Sequence, residues 1–148
     1  MKFIFLFFLT IVSISSNQTL ELNENDFKEE EHCLAKNIFY EAGNQEIKGK
    51  IAVAYVTLNR TKDKKFPKSI CNVVYQRNQF SWTNYHKKLE KITEKDKRWK
   101  ESFRIAKCFR MYHDPSKGSL FFHTKQTRPY WACKRKKTVV IGNHIFYK

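Results

Sequence analysis

The sequence predicts an α+β fold in which helices come first and a small antiparallel β-hairpin sheet comes last. Apolar residues recur every three or four positions between Phe27 and Phe109, which is typical of amphipathic helices. Near the end of the chain, two apolar runs flank Gly142-Asn143, the pattern of a two-residue hairpin. The 148 residues, of which 41% are hydrophobic, are enough for one core, so we expect one folded domain.

The first helix is predicted to begin with a capping box formed by Asp26 and Glu29. Its apolar face has helical spacing, and Gly43 is a natural stop. A second helix is expected from about Gln45 to Asn59, with one apolar face. The apolar positions of the two helices are Phe27, Leu34, Ile38 and Ala42, then Ile47, Ile51, Ala54, Tyr55 and Leu58.

Two shorter helices and a sheet follow in the prediction. Ser69 caps a short third helix over residues 70–74, and Thr93 with Asp96 opens a fourth that ends before Asp114-Pro115. After Gly118 the pattern changes to strands. These are expected at residues 119–123, 138–141 and 144–147, the last two forming the hairpin.

Residues 1–16 have the pattern of a secretory signal peptide, with Lys2 before an apolar run and small residues at its end. The apolar run is about 10–12 residues long, whereas a spanning helix needs about 20. An uncleaved anchor is the alternative, but we expect no stable membrane span after cleavage. Residues 17–25 are polar and predict a flexible lead-in to a domain over residues 26–148. The mature protein is then secreted, periplasmic or held in the cell wall.

Export makes disulfides the expected state of the four cysteines. Mixed or free thiols are the alternative. Zinc is less favoured because the sequence has no CxxC or CxxH pair, and we expect no metal and no cofactor. Four cysteines allow three connectivities. Of these, our interpretation takes the sequence-local pairs, Cys33–Cys71 and Cys108–Cys133.

The formal charge of +15 is distributed unevenly. Residues 17–46 hold eight acids and two bases, a net −6, whereas residues 47–148 hold 26 bases and six acids, a net +20. A balance this basic indicates an acidic partner such as nucleic acid, an anionic membrane or a wall polymer. A merely solvated surface is the alternative.

Glu41 has the most unusual setting of the carboxylates in the sequence. It follows three apolar or aromatic residues and lies at the expected end of the first helix. The helix dipole disfavours negative charge there, and aromatic neighbours would desolvate the carboxyl, so its protonated form is favoured. A general acid for glycosidic cleavage needs that form, although an exposed Glu with an ordinary pKa is the alternative.

Aromatic and amide side chains concentrate in the expected loops. Gln79-Phe80-Ser81-Trp82 mixes stacking and hydrogen-bonding groups, and Tyr85, Tyr130 and Trp131 lie in similar segments. Such a mixture suits sugars, and core packing is the alternative. On a basic protein it also suits single-stranded nucleic acid, which stays a rival partner.

Several ordered motifs resemble the SleB/CwlJ-type cell-wall hydrolases, which include spore cortex-lytic enzymes. The resemblance spans about residues 32–148. It is carried by CLAKNIFYEA at 33–42, EIKGKIAVA at 46–54, VTLNR at 56–60, FP at 66–67, CNVVYQ at 71–76, QFSW at 79–82, and by Gly118, His123, Pro129, Trp131 and GNHIFY at 142–147.

The resemblance implies a compact, lysozyme-like or lytic-transglycosylase-like catalytic domain that acts on the glycan strands of peptidoglycan. It implies that Glu41, in the Tyr-Glu-Ala motif, is the catalytic acid, and it gives no reason to expect a specific nucleic acid partner. It leaves the oligomeric state open. The candidate substrate-binding residues are Tyr40, Gln79, Phe80, Ser81, Trp82, His123 and Trp131.

The expected reaction cleaves the MurNAc–GlcNAc bond and uses one carboxyl twice, as in a lytic transglycosylase. A water-using muramidase or glucosaminidase of the same fold is the alternative, and it would need a second acid. Glu46, Asp63 and Asp114 are the candidates for that role. A noncatalytic cationic protein that binds wall or nucleic acid is the remaining alternative.

Overall fold

The computed structural model describes residues 16–84 and 91–148. Within these ranges the chain forms four α-helices followed by a three-stranded antiparallel sheet, which confirms the α+β prediction. Short 3₁₀ helices cover Ser81–Asn84, Phe109–Met111 and Ala132–Lys134. The main elements are α1 (Ser16–Ala42), α2 (Ile47–Lys62), α3 (Ile70–Val74), α4 (Lys97–Cys108), β1 (Phe121–Thr124), β2 (Lys137–Ile141) and β3 (His144–Tyr147).

The first helix is longer than the sequence predicted. It begins at Ser16, so the flexible lead-in expected over residues 17–25 and the start at Asp26 are both wrong. No Gly or Pro interrupts this stretch, and the Glu24–Lys28 ion pair joins successive turns at i,i+4 spacing. The proposed signal peptide, apart from Ser16, lies outside the described residues. Among the helices described, none is long and apolar enough to cross a membrane.

The helical part is built around α1, against which α2, α3 and α4 all pack. Leu34 and Ile38 of α1 are fully buried in the core, together with Phe109 beyond α4. Lys50 of α2 is also buried, and it forms an ion pair with Glu101 of α4 that ties these two helices together. A buried lysine is tolerated here because its charge has a partner.

The predicted cap at Ser69 is confirmed, whereas the fourth helix is capped by Asp96, the second residue of the predicted Thr93 and Asp96 pair, so its cap lies three residues after Thr93. The Ser69 hydroxyl accepts a hydrogen bond from the Asn72 backbone N–H at 3.2 Å, which caps α3. The Asp96 carboxylate accepts one from the Arg98 backbone N–H at 2.8 Å and caps α4. Each cap satisfies an N–H that has no partner within its own helix.

The sheet has strand order β1–β3–β2, and β2 and β3 form the predicted hairpin. Gly142 in its turn has φ +55°, a conformation that favours glycine. One face of the sheet packs on α2 through Phe122, Val139 and Phe146. Side chains alternate along strands, so Phe121 and its partner Tyr147 lie on the other face, which we call the outer face.

One of the two expected disulfides is present. Cys33 of α1 and Cys71 of α3 are bonded, whereas Cys108 and Cys133 are free thiols, so their predicted pairing is wrong. Cys108 ends α4, which packs on α1. Cys133 lies in the short helix after Trp131, whose ring packs on the sheet. Closeness in sequence therefore did not bring these two thiols together.

Candidate active site

Glu41 lies in the last turn of α1, where the chain leaves the helix towards α2. The Gly43 backbone N–H donates to the Phe39 carbonyl at 3.0 Å, and a Cβ at position 43 would collide with that carbonyl oxygen. Gly43 therefore allows the close turn that ends the helix directly after Glu41. The predicted helix stop and the predicted position of Glu41 agree with the structure.

The Glu41 carboxyl is largely removed from water. This burial raises its pKa from 4.5 to about 7, and the attraction of Arg60 opposes the rise only in part. Removal from water disfavours the charged carboxylate, whereas a nearby cation favours it. At neutral pH the carboxyl is therefore present in both forms, as a group that both donates and accepts a proton must be.

Arg60 is the charged neighbour of Glu41, and its side chain is only 4% exposed. Its Nε donates to the Leu120 carbonyl at 2.7 Å. Its guanidinium carbon lies 5.1 Å from the ring centre of Phe80 and 5.6 Å from that of Phe121. Its Nη1 is buried and has no hydrogen-bond partner within the described residues. A desolvated cation is thus fixed beside the acid, with one donor unused.

Arg60 is not among the site residues predicted from the sequence. A signal was available, because Arg60 follows Val53, Val56 and Thr57 on the buried face of α2. A cation on an apolar helix face needs a partner in the interior, and this requirement points to a site. Burial lowers the pKa of Arg60 to about 10; Glu41 opposes this change and Arg135 adds to it.

Trp82 and Phe80 were expected to face the substrate, but the structure places both in the interior. Trp82 is 7% exposed and stacks on Tyr40, with ring centres 4.7 Å apart. Its Nε1 donates to the Asn37 side-chain oxygen at 3.1 Å, and Asn37 donates in turn to the Thr57 hydroxyl at 3.2 Å. Trp82 therefore connects α1 to α2 and supports the residue next to Glu41.

Phe80 is 2% exposed, with Arg60 over its ring and Phe122 beside it. Phe80 and Trp82, both predicted to bind substrate, thus expose little surface to solvent. The same motif leaves Gln79 half-buried and Ser81 exposed. These two polar side chains, not the aromatic ones, are accessible from solvent.

His123 and Trp131 lie together on the outer face of the sheet. His123 Nδ1 donates to the Thr124 carbonyl at 2.8 Å, and Nε2 lies 2.9 Å from the Tyr147 hydroxyl, within hydrogen-bond distance. Both ring nitrogens therefore have a hydrogen-bond partner. Trp131 packs edge-on against His123, and it also contacts Phe121, whose ring lies next to Arg60. The pair is thus connected to Glu41 through Phe121 and Arg60.

The three candidates for a second acid are held in other roles. Both oxygens of Asp114 accept hydrogen bonds from its own loop and from Asn59, at 2.6 to 3.0 Å. Asp63 accepts from the Lys65 backbone N–H in the turn after α2. Glu46 is exposed at the N-terminus of α2.

No group of three or more His, Cys, Asp or Glu side chains that could hold a metal is found within residues 16–84 and 91–148.

The structure thus combines an α+β domain with a largely buried carboxyl at the end of a helix. Residues 44–147 match the model of the Cell Wall Hydrolase family, and the chain belongs to that family. It is an enzyme that degrades peptidoglycan, a substrate outside the cytoplasm. The matched range begins after Glu41, so it does not cover the proposed acid. A search of curated proteins gave no match.

Two solved structures share the fold. The catalytic domain of SleB from Bacillus cereus is 23% identical and has a TM-score of 0.66, over 84% of this chain and 91% of that one. The catalytic domain of the germination-specific lytic transglycosylase SleB from Bacillus anthracis is 22% identical and has a TM-score of 0.67, over 93% of this chain and 100% of that one. At this identity the likeness is one of fold.

Proposed function

We propose that this enzyme cleaves the MurNAc–GlcNAc bond of peptidoglycan as a lytic transglycosylase, with Glu41 as both acid and base. The observation that carries the proposal is the desolvated carboxyl at the end of α1, held beside the buried Arg60 with a pKa of about 7. The fold shared with a lytic transglycosylase catalytic domain supports the same reaction.

In the first step, protonated Glu41 donates its proton to the glycosidic oxygen, and the bond from that oxygen to the anomeric carbon of MurNAc breaks. The transition state has oxocarbenium character. The Glu41 carboxylate left behind is stabilised by the positive charge of Arg60. The C6 hydroxyl of the same sugar then attacks the anomeric carbon and gives its proton to Glu41. The product has a 1,6-anhydro end, and the acid is restored.

A transglycosylase is favoured over a hydrolase by the roles of the other carboxylates. A hydrolase that inverts or retains configuration normally uses a second acid on the other side of the sugar. Asp114 and Asp63 serve as loop acceptors, and Glu46 is exposed at the start of α2. The C6 hydroxyl needs no second carboxylate, because the substrate itself supplies the nucleophile.

The deciding experiment is mass spectrometry of the soluble fragments released from purified peptidoglycan. Wild type should release fragments with anhydro ends, Glu41→Gln should release none, and the matched control Glu46→Gln should behave as wild type. Reducing ends instead of anhydro ends would replace the transglycosylase with a hydrolase. Equal activity of wild type and Glu41→Gln would remove Glu41 from the mechanism.

We propose that the substrate is bound by Tyr40, Gln79, Ser81, His123 and Trp131. The buried rings of Phe80 and Trp82 support these residues from the interior. Gln79→Ala and Ser81→Ala should raise KM several-fold and leave the fold intact, because neither side chain is part of the buried core. Steady-state kinetics on soluble glycan strands tests this. Unchanged KM in both variants would exclude the motif from the binding surface.

We further propose that residues 1–16 direct export. The Cys33–Cys71 disulfide supports an oxidising destination, since such bonds persist outside the cytoplasm. N-terminal sequencing of the protein recovered from outside an expressing cell should find a chain that begins close to Asn17. A chain that retains Met1 would favour the uncleaved anchor.

A further inference from the structure

A cleft of about 620 Å³ opens on the outer face of the sheet, and Glu41 is not among its lining residues. His123 and Tyr147 form its base, and the segment that follows β1 forms one wall. Tyr130 stands in that wall with its side chain 81% exposed. Because Glu41 does not line it, the cleft would bind a part of the ligand other than the bond that Glu41 cleaves.

The cleft is positively charged and lacks acidic residues. Its lining contains Lys125, Arg128 and Lys137, all exposed, and no Asp or Glu. The surrounding sequence is also basic, because residues 115–148 contain eight Lys or Arg and no Asp or Glu. Clustered cations without local counter-charges attract anions, and Lys and Arg bind carboxylates through charge-assisted hydrogen bonds.

The cleft is also connected to the proposed catalytic site. Trp131 packs against both His123 and Tyr147 at the base of the cleft, at ring-centre distances of 5.7 and 5.6 Å. The same indole lies 5.8 Å from Phe121, and Phe121 lies beside Arg60. A branched ligand with one arm at Glu41 can therefore place its other arm past Trp131 in the cleft.

Peptidoglycan has such a branch, because each muramyl sugar can carry a short peptide with free carboxylates. We propose that the cleft binds the carboxylates of this stem peptide while the glycan strand lies at Glu41. The inference rests on the glycan cleavage proposed above. Val140 and Ile145 add apolar surface to the lining, which suits the alkyl parts of a short peptide.

The test compares strands that carry peptides with strands from which an amidase has removed them. The cleft variant combines Lys125→Gln, Arg128→Gln and Lys137→Gln. Its matched control combines Lys97→Gln, Lys100→Gln and Lys107→Gln, which remove three equally exposed charges from α4. Both variants lose the same net charge, so they separate a local site from general attraction.

Wild type and control should prefer peptide-bearing strands, measured as the ratio of kcat/KM on the two substrates. In the cleft variant this ratio should fall about tenfold, which corresponds to the loss of about one charge-assisted hydrogen bond. Equal kcat/KM values of wild type on the two substrates would overturn the proposal. So would an equal loss in the control, because attraction would then depend on total charge alone.

A binding measurement keeps this result separate from catalysis. The probe is a free stem peptide, titrated into the Glu41→Gln protein and compared with the same peptide whose carboxylates are converted to carboxamides. The carboxylate form should bind and the carboxamide form should not, with binding lost in the cleft variant. Equal binding of both forms, or tighter binding of an anionic phosphate polymer, would overturn the assignment. If neither kind of strand is cleaved, the proposed reaction is wrong. The titration then still shows whether the cleft binds the carboxylates of the stem peptide.

Discussion

The pKa values of Glu41 and Arg60 are both shifted, and the two shifts have the same physical cause. Burial raises the pKa of Glu41 to about 7 and lowers that of Arg60 to about 10, so each moves towards its uncharged form. The attraction between them works against both shifts but does not cancel them. The desolvation of the pair therefore outweighs its Coulombic attraction, and Glu41 retains a proton that a fully paired carboxylate would lose.

The first prediction concerns the stability of Glu41→Gln. The folded pKa of Glu41 lies above its unfolded value, so wild type loses stability as pH rises from about 4.5 through about 7. Gln does not titrate and has no such loss. Between pH 4 and pH 8 the variant should therefore gain about 2–3 kcal/mol relative to wild type.

Urea unfolding of both proteins at the two pH values measures this difference, with Glu46→Gln as the control for loss of an acid. A difference between wild type and Glu41→Gln that does not change with pH would mean that the carboxyl titrates normally. The expected result would show that burial of the Glu41 carboxyl costs stability above neutral pH.

The second prediction concerns Arg60→Met, which replaces the cation with an apolar side chain of similar length. Arg60 lowers the pKa of Glu41, so its removal should raise that pKa further. The high-pH limb of the kcat/KM profile should then move to higher pH, and the maximum rate should fall because the carboxylate intermediate loses its stabilising charge. The exposed Arg104→Met is the control, and a limb that stays in place would show that Arg60 does not act on Glu41.

At the scale of elements, one covalent bond links the first and third helices. Cys33–Cys71 closes a sequence separation of 38 residues. Glu30 adds to the same junction, because its carboxylate accepts hydrogen bonds from the backbone N–H groups of Ile70 and Cys71 at the start of α3. The short α3 is thereby fixed on α1, although five residues alone would not form a stable helix.

The third prediction is that removing this bond destabilises the protein. The Cys33→Ala/Cys71→Ala double variant should lose about 3–4 kcal/mol, the chain-entropy value for a loop of this length. Chemical denaturation measures the loss, and Cys133→Ser should leave stability unchanged because that thiol is free and exposed. A double variant as stable as wild type would mean that Glu30 and the core suffice to hold α3.

The sheet is joined to the helical part at its hairpin turn. Gln45, between α1 and α2, accepts a hydrogen bond from the Asn143 backbone N–H at 3.1 Å. A Cβ at position 142 would lie 2.5 Å from the same Gln45 oxygen, and φ +55° is unfavourable for any residue with a Cβ. The turn therefore connects the sheet to the segment between α1 and α2, in addition to the packing of the sheet on α2.

The fourth prediction follows from this contact. Gly142→Ala should cost about 1–2 kcal/mol, part of it from the backbone conformation and part from the collision with Gln45. In a Gln45→Ala background the same change should cost less, because the collision is absent. A double-mutant cycle measures the difference, and strictly additive effects would show that the two sites are not coupled.

At the scale of the whole molecule, charge is separated along the chain. The acidic residues concentrate in residues 17–46, most of them in α1, whereas residues 47–148 carry a net +20. Many lysines and arginines of the latter range are exposed on α4 and around the sheet. We expect such a charge distribution to attract the enzyme to an anionic wall before any specific contact forms.

The fifth prediction is a salt-dependent affinity for the wall. Binding of Glu41→Gln to purified, uncleaved walls should weaken by at least about tenfold when ionic strength rises from about 0.01 to 0.15 M, since the screening length falls from about 30 to 8 Å. A sedimentation assay at several salt concentrations measures it. An affinity that does not depend on salt would attribute wall binding to the glycan site alone.

The sequence by itself determined the features that depend on neighbours along the chain. The hairpin at Gly142-Asn143, the cap at Ser69 and the stop at Gly43 were predicted, because turn and cap chemistry acts over a few residues. The start of α1 was predicted too late. A capping pattern at Asp26 was taken for a helix start, although good helix formers precede it.

Only the tertiary structure decided which side chains lose contact with water and which charges meet. Arg60 reaches Glu41 because α2 packs on α1, Phe80 and Trp82 are buried because other elements cover them, and Cys108 and Cys133 remain apart because they belong to different parts of the fold. Burial and charge pairing depend on contacts between residues far apart in sequence. A single sequence indicates which groups can react. The packing of the chain determines the pKa of each group, its exposure to water and the residues next to it.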